Sequence, residues 1–297
     1  MDPEKTNVAV LGAGPLGVAM GGALHDAGFS VVSVFSRSAE RAAKAAKAIK
    51  GRKGIRTFTN AAEAAREAEL VLFAVPDKAI AGLAGVVASA GGFREGSLAL
   101  HFCGSLPSSV LEPAHLQGAL VGSAHPLKSF AGSVQDRNLK GVFFGVEGDP
   151  KAVDAIEELV MRLGGVALIL RTEDKRLYHT AAAIVSNFTV TLFHLGMQLL
   201  EEIGVPRKTA QSALLSLLKS TTENVAALGV PRALTGPVSR GDTDTVAAHV
   251  EALKAKAAEL LPLYASLTRH TVEVALEKGT LQREDAEVIR SMLARYS

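Results

Sequence analysis

The sequence predicts an α/β protein in which a doubly wound sheet is followed by an all-α C-terminal domain, and three observations carry that prediction. Up to about residue 170, short apolar runs bounded by Gly or Pro alternate with helical patterns. A Gly12-Ala13-Gly14-Pro15-Leu16-Gly17 turn joins the first apolar run to the first helix. Of the 28 glycines, 22 precede Arg171, and the rest of the chain is almost entirely helix-forming. The predicted domain boundary therefore falls at Leu170 to Asp174, dividing residues 1–170 from 171–297.

Composition narrows the possible partners. At 297 residues and 48% hydrophobic content the chain can bury sizeable cores. Thirty-two basic against thirty acidic residues give a net charge of +2 without a basic tract, which argues against nucleic acid. One cysteine, Cys103, excludes an intramolecular disulfide. The start MDPEKT runs into the first strand without an apolar signal segment, so a cytoplasmic location is expected. No apolar stretch reads as long enough to cross a bilayer, so no membrane is expected as a partner.

Taken in order, Val8 to Leu11 suit a buried strand, and GxGxxG follows at its end. In such a turn the first glycine permits the bend, the second lets a pyrophosphate approach the backbone, and the third lets the helix close on the strand. Pro15 is tolerated because a first-turn N–H has no intrahelical partner. This is the Rossmann pattern of a dinucleotide site, with Gly12, Ala13, Gly14, Pro15, Leu16 and Gly17 as its cradle. The helix from Leu16 to Ala27 should stop at Gly28, and Ser30 to Phe35 form the second strand. An NAD site usually has an acidic residue at the end of that strand; here stand Ser36, Arg37 and Ser38. A guanidinium and two hydroxyls suit a 2′-phosphate, which predicts NADP(H) in preference to NAD(H), although Ser38 also suits a helix cap.

An Ala-rich helix over 39–50 leads to a strand at Arg56 to Phe58, and Asn60 with Glu63 suits a capping box. Leu70 to Val75 and Leu98 to Phe102 are the next strands, ending in Val75-Pro76-Asp77 and Cys103-Gly104-Ser105. Because ligands sit at the carboxyl ends of such strands, Val75, Pro76, Cys103 and Gly104 are expected beside the cofactor. Further strands read at Leu120 to His125, Val142 to Val146 and Val166 to Leu170. Helices follow at Asp174 to Ile203, Pro206 to Leu228, Thr243 to Lys256, Ala258 to Lys278 and Gln282 to Ala294.

Chemistry-bearing residues concentrate in three places. On the first C-terminal helix Lys175, His179, Ala182 and Ser186 form one stripe at helical spacing, flanked by Tyr178 and Asn187. Lys175, His179 and Asn187 are candidates for orienting a substrate, and Ser186 for binding it; the plainer alternative is a solvated lysine and an interdomain histidine. His125, in Ser-Ala-His-Pro-Leu-Lys after the sixth strand, is the candidate proton carrier, with an expected pKa near the working pH. Lys128 could anchor a substrate carboxylate. The turn Gly236-Pro237-Val238-Ser239-Arg240-Gly241-Asp242 reads as a rigid connection and helix cap, or as a binding site for a carboxylate or phosphate through Arg240. His101 suits packing or a backbone acceptor and Cys103 a small buried hydrophobe. The remaining histidines lack metal-ligand spacing, so no metal is expected.

With these motifs laid out, the chain resembles the Rossmann-like NADP oxidoreductases whose helical second domain has no known function, within the 6-phosphogluconate dehydrogenase C-terminal-like group. GAGPLG, VPD, HFCGS, SAHPLKSF, KRLYHTAAAIVSNF and LTGPVSRGDTDT carry the likeness over nearly the whole chain. His125-Pro126 resembles the His-Pro of prephenate dehydrogenases, where the histidine contacts the substrate hydroxyl. Lys175 resembles the helix lysine of β-hydroxyacid dehydrogenases and ketopantoate reductases, although His179 stands where their asparagine would be. Pyrroline-5-carboxylate reductases share the architecture but have a Gly-rich helix start absent here. The resemblance implies a homodimer formed through the helical domain. It also implies hydride transfer to or from a small carbonyl, hydroxyl or imine substrate, expected to carry a carboxylate and to sit between the domains. A ketopantoate reductase-like or prephenate dehydrogenase-like enzyme, or a non-catalytic NADP-binding sensor, are the alternatives.

Overall fold

The computed structural model describes residues 2–49 and 54–296, so the predicted end of the Ala-rich helix at Lys50 lies outside the described residues. The chain divides into two compact units, residues 1–187 and 188–297. The first unit thus extends beyond the boundary predicted at 170, because side chains at the start of the long helical stretch are bonded to the sheet.

In the first unit the chain runs β1 (Asn7–Leu11), α1 (Pro15–Asp26), β2 (Ser30–Phe35), α2 (Ala39–Ile49), β3 (Arg56–Phe58), α3 (Ala61–Ala65), β4 (Leu70–Phe73), α4 (Asp77–Ser89), β5 (Leu98–His101), α5 (Glu112–His115), β6 (Leu120–Pro126), β7 (Phe143–Gly148), α6 (Pro150–Arg162), β8 (Val166–Ile169) and α7 (Lys175–Val185). The eight strands form one sheet in the order β3-β2-β1-β4-β5-β6-β7-β8. From β3 to β6 all neighbours are parallel; β7 enters antiparallel to β6, and β8 runs parallel to β7. This departs from an all-parallel sheet for a simple reason. The connection over 127–142 contains only a short 3₁₀ turn at Val134–Arg137, without the crossover helix that parallel neighbours require.

Alternation along β1 builds the two cores. Val8 and Val10 enter a cluster with Met20 and Leu24 of α1, Ala42 and Ile49 of α2 and Leu159 of α6. Ala9 and Leu11 enter the opposite cluster with Ala61 of α3, Ile80 and Val87 of α4 and Ala114 of α5. At the predicted capping box, Asn60 Oδ1 accepts from the Ala62 and Glu63 amides and its Nδ2 donates to Glu63 Oε1.

The second unit contains α8 (Asn187–Glu202, less its first residue), α9 (Arg207–Leu228), α10 (Thr243–Lys256), α11 (Leu261–Lys278) and α12 (Arg283–Leu293). Its core is formed by Val246 and Val250 of α10, Ala265 and Val272 of α11 and Ile289 and Leu293 of α12. Of the 22 residues of α9, only Ala210 is buried. The helix predicted over 174–203 is interrupted at Ser186, which separates α7 from α8. Contrary to the sequence expectation, residues Thr172–Glu202, 31 in all, are long and apolar enough by length and composition to cross a membrane.

Candidate active site

The glycine turn has the three properties its sequence predicts. Gly12 has φ +129°, and a side chain there would collide with the carbonyl of Ala74, 2.1 Å from an added Cβ. A Cβ at Gly14 would meet nothing within 4 Å, which leaves that face open to a ligand. A Cβ at Gly17 would lie 2.2 Å from the Gly12 carbonyl, so only glycine lets α1 close on the turn. Pro15 starts α1, no side chain caps the helix, and its first turn has no acidic residue. Ala13 and Leu16 sit half-exposed in the turn, Leu16 also packing against the core with Val18. These features suit an anion at the helix start.

At the end of β2, the Ser36 hydroxyl accepts from the Ser38 amide at 3.3 Å, and Ser38 Oγ accepts from the Arg41 amide at 3.3 Å. Ser38 therefore caps α2, and the Arg37 side chain is exposed beside it. Val75 follows β4 next to Gly12, and Pro76 precedes the first residue of α4.

Gly104 lies against histidines. A Cβ there would come within 2.5 Å of His179 Cδ2 and 3.0 Å of the His125 ring, so the bare backbone is what admits both imidazoles. Their ring centroids are 5.5 Å apart. The turn carrying Gly104 is held by His101: the Cys103 amide donates to Nδ1 at 3.1 Å, and Nε2 lies 3.2 Å from the Pro107 carbonyl. That pattern fixes the His101 proton on Nε2, and burial, with Lys175 nearby, pushes its pKa down to about 4. The Cys103 thiol is buried and lies 3.4 Å from both the Leu106 amide and Ser105 Oγ.

Two rungs link α7 to the β6–β7 pair. Antiparallel register sets Ser123 opposite Glu147 and His125 opposite Gly145, and the two-residue step keeps all four on one face. In the lower rung Lys175, only 1% exposed, donates to Ser123 Oγ at 2.6 Å and Cys103 O at 3.4 Å, with Glu147 Oε2 at 3.8 Å. Burial lowers the Lys175 pKa, and Glu147 opposes that shift. Burial would raise the Glu147 pKa, but bonds from the Ser108 hydroxyl and amide and from Thr172, with Lys175 adjacent, hold it below the usual carboxylate value.

In the upper rung Tyr178 sits over Gly145, where an added Cβ would lie 2.5 Å from the ring. Its hydroxyl accepts from the Gly145 amide at 3.2 Å, donates to the His125 carbonyl at 3.1 Å and lies 3.1 Å from His125 Nδ1. With the phenol proton on the carbonyl, Nδ1 carries the ring proton and Nε2 accepts; with the phenol proton on Nδ1, Nε2 donates. Burial pushes Tyr178 up to about 12. Burial, then His179 and Lys175, push His125 down to about 4. The expectation of an imidazole titrating near the working pH is thereby corrected: His125 is neutral there.

A cavity of about 570 Å³ opens beside the upper rung, lined by His125, Pro126, Leu127, Lys128 and Ser129, by Leu168, and by Tyr178, His179, Ala181–Ala183, Val185, Ser186 and Asn187. His125, His179, Ser186 and Asn187 thus line one pocket. Lys175 is not part of its lining, because its ammonium is held by Ser123 Oγ and the Cys103 carbonyl. Lys128 lines the wall, and its ammonium donates to the Asp136 and Asn138 carbonyls at 3.1 and 2.6 Å, securing its own loop. Arg240 belongs to the second unit, ending a 3₁₀ turn before Gly241 at φ +68°, where it helps hold the Asp242 carboxyl low after the Thr245 hydrogen bonds that make Asp242 the α10 cap. Sequence reasoning left Tyr178 on the flank and passed over Glu147 and Gly145. A glycine inside a strand was the available signal of close approach.

Comparison with known proteins agrees with this architecture. The Rossmann-like domain model matches residues 1–126, and that of a domain of unknown function, DUF2520, matches residues 142–271. No curated protein matches the sequence. A Bacteroides fragilis structure, provisionally described as an NADP oxidoreductase, is 27% identical over 92% of this chain and 100% of its own, with a TM-score of 0.74. A Thermotoga maritima protein is 25% identical over 92% of this chain and 98% of its own, with a TM-score of 0.69. A reductive aminase from Aspergillus terreus, solved with NADPH and ethyl levulinate, shares the fold at 17% identity over 96% of this chain and 99% of its own, with a TM-score of 0.64. The chain is a Rossmann-like protein carrying a DUF2520 domain.

Proposed function

We propose that the protein is an NADP(H)-dependent oxidoreductase that moves hydride to or from the carbon of a small carbonyl, hydroxyl or imine substrate held beside His125. The observation carrying this reading is the glycine turn, whose Gly14 face is open to a ligand while Gly12 and Gly17 are sterically obligatory. The Bacteroides fragilis and Aspergillus terreus descriptions support it. The Gly12–Gly17 turn and α1 would hold the pyrophosphate, and Ser36, Arg37 and Ser38 a 2′-phosphate. Val75, Pro76 and the Gly104 main chain would flank the nicotinamide, which when bound supplies or accepts the hydride.

His125 then serves as a neutral imidazole. In reduction, with the Tyr178 proton turned from the His125 carbonyl to Nδ1, Nε2 donates a hydrogen bond to the substrate oxygen or nitrogen, polarising the bond, and passes the proton that completes the product; solvent replaces it. A neutral imidazole is a legitimate electrophile for a carbonyl. His179, Ser186 and Asn187 orient the substrate. Of the two enzyme likenesses, that to prephenate dehydrogenases rests on His125, which lines the pocket; that to ketopantoate reductases rests on Lys175, which does not. We place the reaction in the cytoplasm. Titration with NADPH and NADH tests the cofactor, with NADPH binding more tightly and Arg37→Glu removing the preference; tighter NADH binding overturns it. NADPH bound with no turnover across carbonyls and imines would instead favour the sensor.

We also propose a homodimer. Leu192, Leu215, Leu217, Val225 and Leu228 of α8 and α9 are exposed, and a helix as solvated as α9 needs a covering surface. A second copy suits it better than lipid, because Lys175 and Tyr178 tie the start of the apolar 172–202 stretch to the sheet. Light scattering should give twice the chain mass, falling to a monomer in Leu217→Glu; a monomeric wild type overturns the proposal.

A further inference from the structure

We infer that the His125 pocket takes an electroneutral, largely apolar molecule presenting one carbonyl or imine group, and that it rejects ionised carboxylates. The inference rests on the reading of this pocket as the substrate site. A carboxylate was the sequence expectation, with Lys128 and Arg240 as cations suited to it and Lys175 as a residue orienting the substrate. In the structure the Lys128 ammonium faces two backbone carbonyls. Lys175 is buried against Ser123 and Glu147. Arg240 lies on a turn of the second unit. Among the described residues lining the cavity, Lys128 is the only Lys or Arg, and none is acidic.

The rest of the wall supports the same ligand. Leu127, Leu168, Val185 and the run Ala181–Ala183 give it an apolar body, and the small alanine side chains leave room for a flat or branched skeleton. Polar groups are confined to the His125 end and to Ser186 and Asn187, enough to fix one polar group. Burial keeps His125 uncharged at neutral pH. A carboxylate entering this space gives up water and meets one ammonium whose hydrogens are already shared with the Asp136 and Asn138 carbonyls, whereas a ketone or neutral imine loses little and gains hydrogen bonds. The volume of about 570 Å³ is ordinary for a small-molecule site.

A matched pair of probes tests this at pH 8: 4-phenylbutan-2-one and 4-(3-oxobutyl)benzoate, which differ only by the carboxylate. Binding to the NADP⁺-loaded protein is measured by saturation-transfer NMR competition, and turnover by NADPH consumption. The expected result is that the neutral ketone binds more tightly by about tenfold or more, and that Ala182→Arg, which adds a cation to the wall, reverses the order. Equal or tighter binding of the carboxylate overturns the inference, as does failure of both probes to bind. Selective binding of the ketone without NADPH oxidation upholds the inference about the pocket and removes the hydride-transfer reading.

Discussion

The hydroxyl of Tyr178 lies 3.1 Å from Nδ1 of His125 and 3.1 Å from the carbonyl of the same residue. One phenol thus meets both the ring and the main chain of the residue that lines the pocket, and its single proton decides which nitrogen of His125 carries hydrogen.

Tyr178→Phe should remove that choice. The Gly145 amide and His125 Nδ1 lose a partner, so stability falls by about 1–3 kcal/mol and turnover by roughly tenfold to a hundredfold from lost alignment. Nitrogen-15 NMR of the histidine rings reads the tautomer directly. An unchanged His125 signal and unchanged kcat would remove Tyr178 from any positioning role.

Gly104→Ala should displace the two imidazoles, since the new methyl would lie 2.5 Å from His179 and 3.0 Å from His125. Turnover should drop sharply while NADPH affinity changes little. The opposite pattern, weakened NADPH binding with the ring signals of His125 and His179 in place, would assign Gly104 to the cofactor alone.

Lys175→Met should act on folding. Removing one partner of a buried ion pair leaves Glu147 uncompensated and costs about 3–5 kcal/mol. Combining it with Glu147→Gln should recover part of the loss, and urea denaturation of the four proteins gives the coupling. A Lys175→Met protein of wild-type stability but raised KM would restore the substrate-orienting role suggested by sequence.

Acid should destabilise the protein well above the carboxylate range. His101 and His125 bind a proton near pH 6.5 when unfolded but only near 4 when folded. Between those values the unfolded state holds more protons, so stability falls as pH drops, by up to about 1.4 kcal/mol per pH unit for each histidine. The depressed carboxyl of Glu147 adds its own loss only below its ordinary value of 4.5. Urea midpoints unchanged between pH 6.5 and 4.5 would contradict the burial argument for both rings.

Much of this was legible in the sequence, for identifiable reasons. Strand positions followed from apolar runs, and the roles of Gly12, Gly14 and Gly17 from spacing, because both are local properties of the chain. The stripe of His179 and Ser186, flanked by Asn187, followed from helical period, and the place of His125 from the strand before it. The fate of Lys175 and Lys128 did not, since it depends on Glu147 and on the Asp136 and Asn138 carbonyls reached through the fold. A stripe shows which residues share a helix face but not how deep each sits, and Lys175 and His179, one turn apart, differ in that respect. The antiparallel entry of β7 was hidden because an apolar run has no direction; the missing crossover helix over 127–142 was the clue.

The two rungs also set how this site can change over time. Anchorage of α7 depends on Ser123, Glu147 and Lys175, while the groups facing the pocket start at His125, Gly145 and Tyr178, two strand positions and one helical turn further on. Selection can therefore alter the upper set, and with it the preferred substrate, while the charged set beneath keeps the helix in register. A scaffold divided in this way can diversify in activity without first becoming unstable.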